Sequence, residues 1–139
     1  MPKTTRGKKL TRDEKRNLDV EIGFLEGLVR KDPQYVEALQ ILGDDYTKRG
    51  RFDDGLDIDE QLAQLRPQDA TVLYNLACSY SLMGQIEQAF AALDRALAAG
   101  YSDVKWMAQD PDLETLRQHP RYEEVRSKIK TAKPKAKPA

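Results

Sequence analysis

Leu42-Gly43-Asp44-Asp45-Tyr46, followed by Gly50, Phe52 and Gly55, recurs 34 residues later as Leu76-Ala77-Cys78-Ser79-Tyr80, followed by Gly84, Ile86 and Ala89. Self-similarity at this fixed period is the signature of a helical-hairpin repeat. The frame holds further out. Pro33 answers Pro67 and Leu39 answers Leu73, while Ile22, Leu56 and Phe90 share one column and Leu28, Leu62 and Ala96 another. Small residues recur at Gly43/Ala77 and Gly55/Ala89, where two helices must cross closely, and Tyr46 and Tyr80 fill one inter-helix slot. A two-helix unit cannot bury its apolar face alone, so each unit must offer the next a compatible surface.

Outward from this pair, the chain reads as helices. Thr11-Arg12-Asp13-Glu14 is a capping box, in which hydroxyl and carboxylate satisfy each other's backbone amides. It opens a first helix with an apolar stripe of Leu18, Ile22, Leu25 and Val29, flanked by Phe24 and Leu28. Gly23 and Gly27 on that helix predict close approach of a neighbouring helix. Asp32 and Pro33 suit the N-cap and first position of a second helix reaching about Arg49, which Gly50 ends. A third helix follows over 53–66, closed by Pro67, a fourth over 70–83 and a fifth over 86–99. Beyond Gly100 the period breaks. Ser102 predicts the cap of a short helix carrying Val104, Trp106 and Met107, Asp110-Pro111 opens another, and His119-Pro120 opens a last one with Tyr122, Val125 and Ile129. No segment alternates with period two, so the fold class is all-α.

Composition narrows the function classes. Basic and acidic residues balance at 23 each, but residues 1–17 hold seven basic and two acidic residues, and 126–139 hold six basic and none acidic. The body between them, 18–125, holds ten basic and twenty-one acidic residues, a net of −11. One cysteine, Cys78, leaves no internal disulfide framework and suits a reducing compartment. No apolar run follows the basic start as in a secretory signal, and none approaches the ~20 residues a membrane helix needs. The expectation is a soluble, cytoplasmic protein: a disordered basic tail over 1–10, one helical domain over 11–130, and a disordered Lys/Pro tail over 131–139.

The doubled pattern resembles the tetratricopeptide repeat (TPR) family: leucine, small residue, two spaces, tyrosine, then glycine, an apolar residue, a small residue and a closing proline. The resemblance covers 34–67 and 68–101 as two full units and 12–33 as a half-unit, leaving 102–130 as capping helices. The family's tryptophan is replaced by Leu39 and Leu73. Asp59 stands at a position usually aromatic, which predicts a weakened contact, and Tyr101 stands where the next closing proline would be. The resemblance implies a right-handed superhelical solenoid whose first helices line a concave, peptide-binding groove. Carried over by position, the groove residues are Glu37, Gln40, Ile41, Asp44, Thr47 and Lys48 in the first unit, and Thr71, Tyr74, Asn75, Cys78, Ser81 and Leu82 in the second. Gln40 and Asp44 replace the lysine and asparagine with which one subgroup clamps a peptide carboxylate, and only Asn75 matches that clamp. An aspartate there repels a carboxylate, so the groove suits a polar or basic extended segment.

Other candidates read as structure. Cys78 lacks a second cysteine and a nearby histidine, and fits as a small residue beside Ala77. His119 reads as a helix-start residue, since no nucleophile partner is evident. Asp53, Asp54, Asp57, Asp59 and Glu60 lack the tight glycine turn of a calcium loop and read as a solvated face. Trp106 reads as capping core. No nucleophile–base pair, phosphate loop or metal spacing occurs, so no enzyme activity, cofactor or metal is expected. The expected function is a protein–protein adaptor, monomeric or weakly dimeric. The alternative is a polyanion- or nucleic-acid-associated protein using its basic tails.

Overall fold

The computed structural model describes residues 9–131, and the basic and Lys/Pro tails lie almost wholly outside them. Eight α-helices and one 3-10 turn follow in order: α1 Arg12–Lys31, α2 Val36–Arg49, α3 Phe52–Leu65, α4 Ala70–Leu82, α5 Ile86–Ala98, α6 Val104–Met107, the turn Pro111–Leu113, α7 Glu114–Arg117 and α8 Tyr122–Thr131. Among the described residues there is no strand. Each of the first four helices packs on the next, as antiparallel hairpins stacking in chain order must.

Local chemistry sets the boundaries. At α1 the capping box forms in full: Glu14 N–H donates to Thr11 Oγ1 at 3.1 Å and Thr11 N–H donates to Glu14 Oε1 at 2.9 Å. After α2 the chain reverses at Gly50, whose φ of +88° a Cβ would penalise, and Arg51 N–H closes back on the Tyr46 carbonyl at 2.8 Å. Gly84 repeats this turn one unit on, with Gln85 N–H on the Tyr80 carbonyl at 2.9 Å. Asp32-Pro33 does not open α2. Asp32 closes α1, its carboxylate holds Gln34 N–H, and α2 begins at Val36 behind Tyr35. Asp69 caps α4, accepting from Thr71 and Val72. The short α6 is capped by Asp103 instead of Ser102. Thr131 lies in the last helix, one residue beyond the expected end of the domain.

The core runs through the repeat columns. Ile22, Leu56 and Phe90 are buried together, as are Leu39 and Leu73. Gly43 and Gly55 sit where α2 crosses α3. A Cβ on Gly43 would lie 3.3 Å from Ile58 Cγ2, and one on Gly55 would lie 3.1 Å from Thr47 Oγ1. Gly23 and Gly27 do not serve the close approach expected of them: a Cβ on Gly23 meets nothing within 4 Å and one on Gly27 only the Arg30 guanidinium at 3.9 Å. They face away from α2.

The frame does not stop at Tyr101. Met107 stands 34 residues after Leu73 and is as deeply buried. The segment α6, 3-10 turn and α7 therefore holds the place of a third first helix, broken at Asp110-Pro111, where proline cannot continue the α6 ladder. α8 follows as its second helix. Two ion pairs repeat the period: Arg121 with Glu87 and Lys128 with Asp94, both at 2.8 Å and both 34 residues apart. Sequence periodicity missed this unit because its two halves are offset. Tyr122, Val125 and Ile129 stand 33 residues after Ala89, Ala92 and Ala96.

Candidate functional site

The outward faces of α2 and α4 carry the expected groove residues, and the structure divides them. Glu37, Gln40, Ile41 and Lys48 on α2 are exposed or partly so, and Asp44 is half-buried. On α4, Thr71 is exposed and Asn75 and Leu82 are half-buried. Ile41 is 47% exposed, an apolar side chain one turn from Glu37 and three residues from Asp44. These positions form the accessible set.

Four expected groove residues are not on an open surface. Thr47 is buried, and its hydroxyl donates to the Gly43 carbonyl at 3.1 Å. Ser81 is buried as well. Tyr74 and Cys78 are only 2% and 1% exposed. For Tyr74 and Cys78 the reason is the third unit, which lies against α4. Tyr74 donates its hydroxyl to Asp110 Oδ2 at 2.6 Å, and the Cys78 thiol donates to the same oxygen at 3.6 Å. Tyr101 stacks flat on Tyr74, with centroids 4.1 Å apart and planes 2° apart. The family's closing proline is absent here because this position holds a ring that completes the cover. Burial above all, with the nearby Cys78 and Asp110, drives the Tyr74 hydroxyl far above its ordinary pKa.

Cys78, Asp110 and Asp112 bring three possible metal-ligand atoms within 4.8 Å of one another, all buried. The Asp110 carboxylate is already engaged by the Tyr74 hydroxyl, the Cys78 thiol and the Asp112 N–H, which reaches Oδ1 at 2.9 Å. This is the bonding of a buried cap that ties the 3-10 turn to α4 through three protein donors.

Sequence reading also missed a polar ladder between hairpins. Tyr46 donates to Glu26 Oε2, and Tyr80 donates to Glu60 Oε2 at 2.7 Å. The acids are 34 residues apart, and Asp94 continues their column with Lys128 as its partner. That column was visible in the sequence as Glu26, Glu60 and Asp94. Arg51 lies over the Tyr46 ring at 4.6 Å while pairing with Asp54 at 2.8 Å. Asp59 is not on a solvated face and does not weaken α3. It is buried, accepts the Ser79 hydroxyl and lies against Gly43. A hydrogen bond to a charged acceptor contributes about 1.5–3 kcal/mol. His119 is exposed beside Phe90, and its Nδ1 accepts from Arg121 N–H at 3.1 Å.

Next to the accessible set, Asp45 is buried on α2, and its Oδ2 has no hydrogen-bond partner among the described residues. Burial, reinforced by the hydrogen-bonding and like-charged Glu21 and by Asp44, raises its carboxyl to about 7 against the opposing pull of Lys48. A raised carboxyl stabilises the fold below its unfolded pKa, and that contribution is lost as pH climbs through about 7. Asp45→Asn should therefore stabilise the protein by about 1–2 kcal/mol at pH 8 and by little at pH 4. Urea denaturation of both proteins at the two pH values reads the difference, and equal gains at both would contradict this account.

No family model matches the chain. It is 40% identical over 75 residues to a chloroplastic protein of Arabidopsis thaliana, covering 52% of this chain and 22% of that protein. It is 33% identical over 91 residues to the peroxisomal targeting signal receptor of Komagataella phaffii, covering 64% of this chain and 16% of the receptor. The chain thus spans less than a quarter of the length of either relative. Among solved structures, MamA superposes with a TM-score of 0.66 at 22% identity, over 91% of this chain and 77% of that one. No helix of the described residues is long and apolar enough to cross a membrane. Helix pairs that repeat every 34 residues, with the same glycine turns, the same close crossings and the same tyrosine–acid bonds, give this chain a tetratricopeptide-like helical solenoid fold, like that of MamA.

Proposed function

We propose that the protein is a non-enzymatic adaptor that holds an extended segment of another protein along the outward face of α2 and onto α4. The observation that carries this reading is Ile41, exposed at mid-helix and framed by Glu37, Gln40, Asp44 and Lys48. An apolar anchor ringed by polar groups is the usual anatomy of a recognition surface. Glu37 and Asp44 favour a basic side chain near the anchor. Thr71, Asn75 and Leu82 extend the track, while Tyr74 and Cys78 support it from below. Nothing in this surface positions a nucleophile beside a base.

Selection from a display library of random peptides should enrich segments with one apolar residue flanked by lysine or arginine. Ile41→Glu and Asp44→Lys should each weaken the selected peptides roughly tenfold or more, as loss of an anchor does. Peptides that keep full affinity for both variants would place binding elsewhere.

A further inference from the structure

α1 carries a stripe that no described residue covers. Arg12, Arg16, Val20, Phe24, Gly27 and Lys31 follow at spacings of four, four, four, three and four residues, which sets them along one face of the helix. Val20 and Phe24, at its centre, are 68% and 65% exposed. Gly23 lies beside them and is exposed as well. The stripe is apolar in the middle and basic at both ends.

The glycines show what kind of body fits the centre. Glycine is the poorest helix former after proline. Nothing in the described fold requires either one, since a Cβ on Gly23 has open space and one on Gly27 meets only the Arg30 guanidinium at 3.9 Å. One unit on, the columns of Val20, Gly23 and Gly27 hold Asp54, Asp57 and Gln61, polar residues of which none is buried. α1 replaces them with an apolar side chain and two gaps. Elsewhere in this fold glycine lets helices cross closely, as Gly43 and Gly55 do between α2 and α3. A shallow channel of this kind serves a second helix, whereas a flat lipid surface gains nothing from it.

Charge decides which helix. The acids of α1 are engaged within the protein: Asp13 with Arg16, Glu14 with the Thr11 N–H, Asp19 with Arg49 and Glu26 with the Tyr46 hydroxyl, while Glu21 lies against Asp45. The bases are not. Arg12, Lys15, Arg30 and Lys31 are exposed and form no ion pair among the described residues. Residues 1–8 and 132–139 hold no acidic side chain that could take them. A second α1 would set bases against bases at either end, which disfavours an identical partner. We propose that α1 docks an acidic amphipathic helix of another protein, laid along Val20, Gly23, Phe24 and Gly27 with carboxylates reaching Arg12 at one end and Lys31 at the other. At 1.5 Å per residue these ends are about 28 Å apart, so the docked helix follows α1 for about five turns. None of these residues belongs to the face of α2 and α4 proposed above, and the charge preference is opposite, so the two surfaces join unlike partners. One helix pair buries less than the about 800 Å² per partner of a standard interface, so the contact is weak and salt-sensitive.

A display library of helical peptides about 20 residues long, randomised on one face, tests this against the full chain. Enriched helices should carry an apolar or small central stripe with aspartate or glutamate in the first and last turns. Titrated by fluorescence anisotropy, they should lose roughly tenfold or more in affinity for Phe24→Asp and for Gly23→Leu, and as much for Arg12→Glu combined with Lys31→Glu. Gly23→Leu has room in the fold and gains helix propensity, so its melting temperature should stay level or rise while binding falls. Ile41→Glu should leave this binding unchanged, which separates failure here from failure of the α2 reading. Enriched helices with basic ends, helices that bind Phe24→Asp and Gly23→Leu at full affinity, or no enrichment at all overturn the proposal. A wild type that doubles its mass of 15.8 kDa on concentration, and loses this in Phe24→Asp, overturns it by assigning the face to a second copy. Binding to phosphatidylserine vesicles that is lost in Phe24→Asp overturns it by assigning the face to lipid.

Discussion

Replacing Asp110 with alanine should cost about 3 kcal/mol and loosen the C-terminal unit ahead of the rest. The side chain is fully buried and receives three donors: the Tyr74 hydroxyl at 2.6 Å, the Cys78 thiol at 3.6 Å and the Asp112 N–H at 2.9 Å. Alanine leaves the Tyr74 hydroxyl buried without that acceptor, a cost of about 1–3 kcal/mol, and removes a cap at about 1 kcal/mol. Tyr74→Phe should cost less, about 1 kcal/mol, because it removes donor and need together while Asp110 keeps its other partners. Trp106 is the only tryptophan and sits half-buried in this unit, so its fluorescence reports the opening directly. In urea, its emission should shift red in Asp110→Ala at denaturant levels where the far-ultraviolet helix signal still persists. Coincident transitions with a loss under about 1 kcal/mol would show that the cap is incidental.

Phe90→Ala should be the more damaging change, at about 3–5 kcal/mol, the usual range for emptying a buried phenylalanine site. Phe90 is 1% exposed on α5 and carries the joint between the second and third units. Arg121 lies over its ring at 4.8 Å and His119 tilts against it at 5.4 Å. Its removal takes away aliphatic packing and the platform for Arg121, which the exposed Glu87 alone does not replace. Stability in repeat proteins is close to a sum of units and joints, so breaking one joint releases the units beyond it. The melting temperature should fall by more than about 10 °C, with the Trp106 signal lost first. A fall of less than a few degrees would mean that α8 is held by other contacts.

The parts of the fold legible in the sequence were those where one residue type has one physical use. Gly50 and Gly84 mark turns because only they take a positive φ cheaply, and the Leu39/Leu73 and Leu56/Phe90 columns mark burial because apolar spacing has no other cause. Residues with two uses were misread. Asp59 is an acid among acids in the chain, yet it points inward to Ser79. Asp32 beside Pro33 has the chemistry of a helix start, yet it closes the helix before. Tyr74 and Cys78 lie on the expected outward face of α4, and the packing of Tyr101 and the segment after it, some thirty residues on, covers them. The third unit was hidden by a one-residue offset and by Pro111. The expected positions Glu37, Gln40, Ile41 and Lys48 on α2 stay exposed because no described residue folds over them.

The tyrosine–acid ladder has a consequence for how such a protein can grow. Each joint is a socket: an acid on a second helix, at 26, 60 or 94, that receives a group from the next unit. Tyr46 and Tyr80 plug the first two, and Lys128 plugs the third. A duplicated segment 68–101 inserted after Tyr101 would bring its own tyrosine to Asp94 and its own aspartate to Lys128. The chain can therefore gain a module by simple gene duplication without inventing a new joint. Lys128 is an exchangeable plug, since a tyrosine fills the same socket at the two earlier joints.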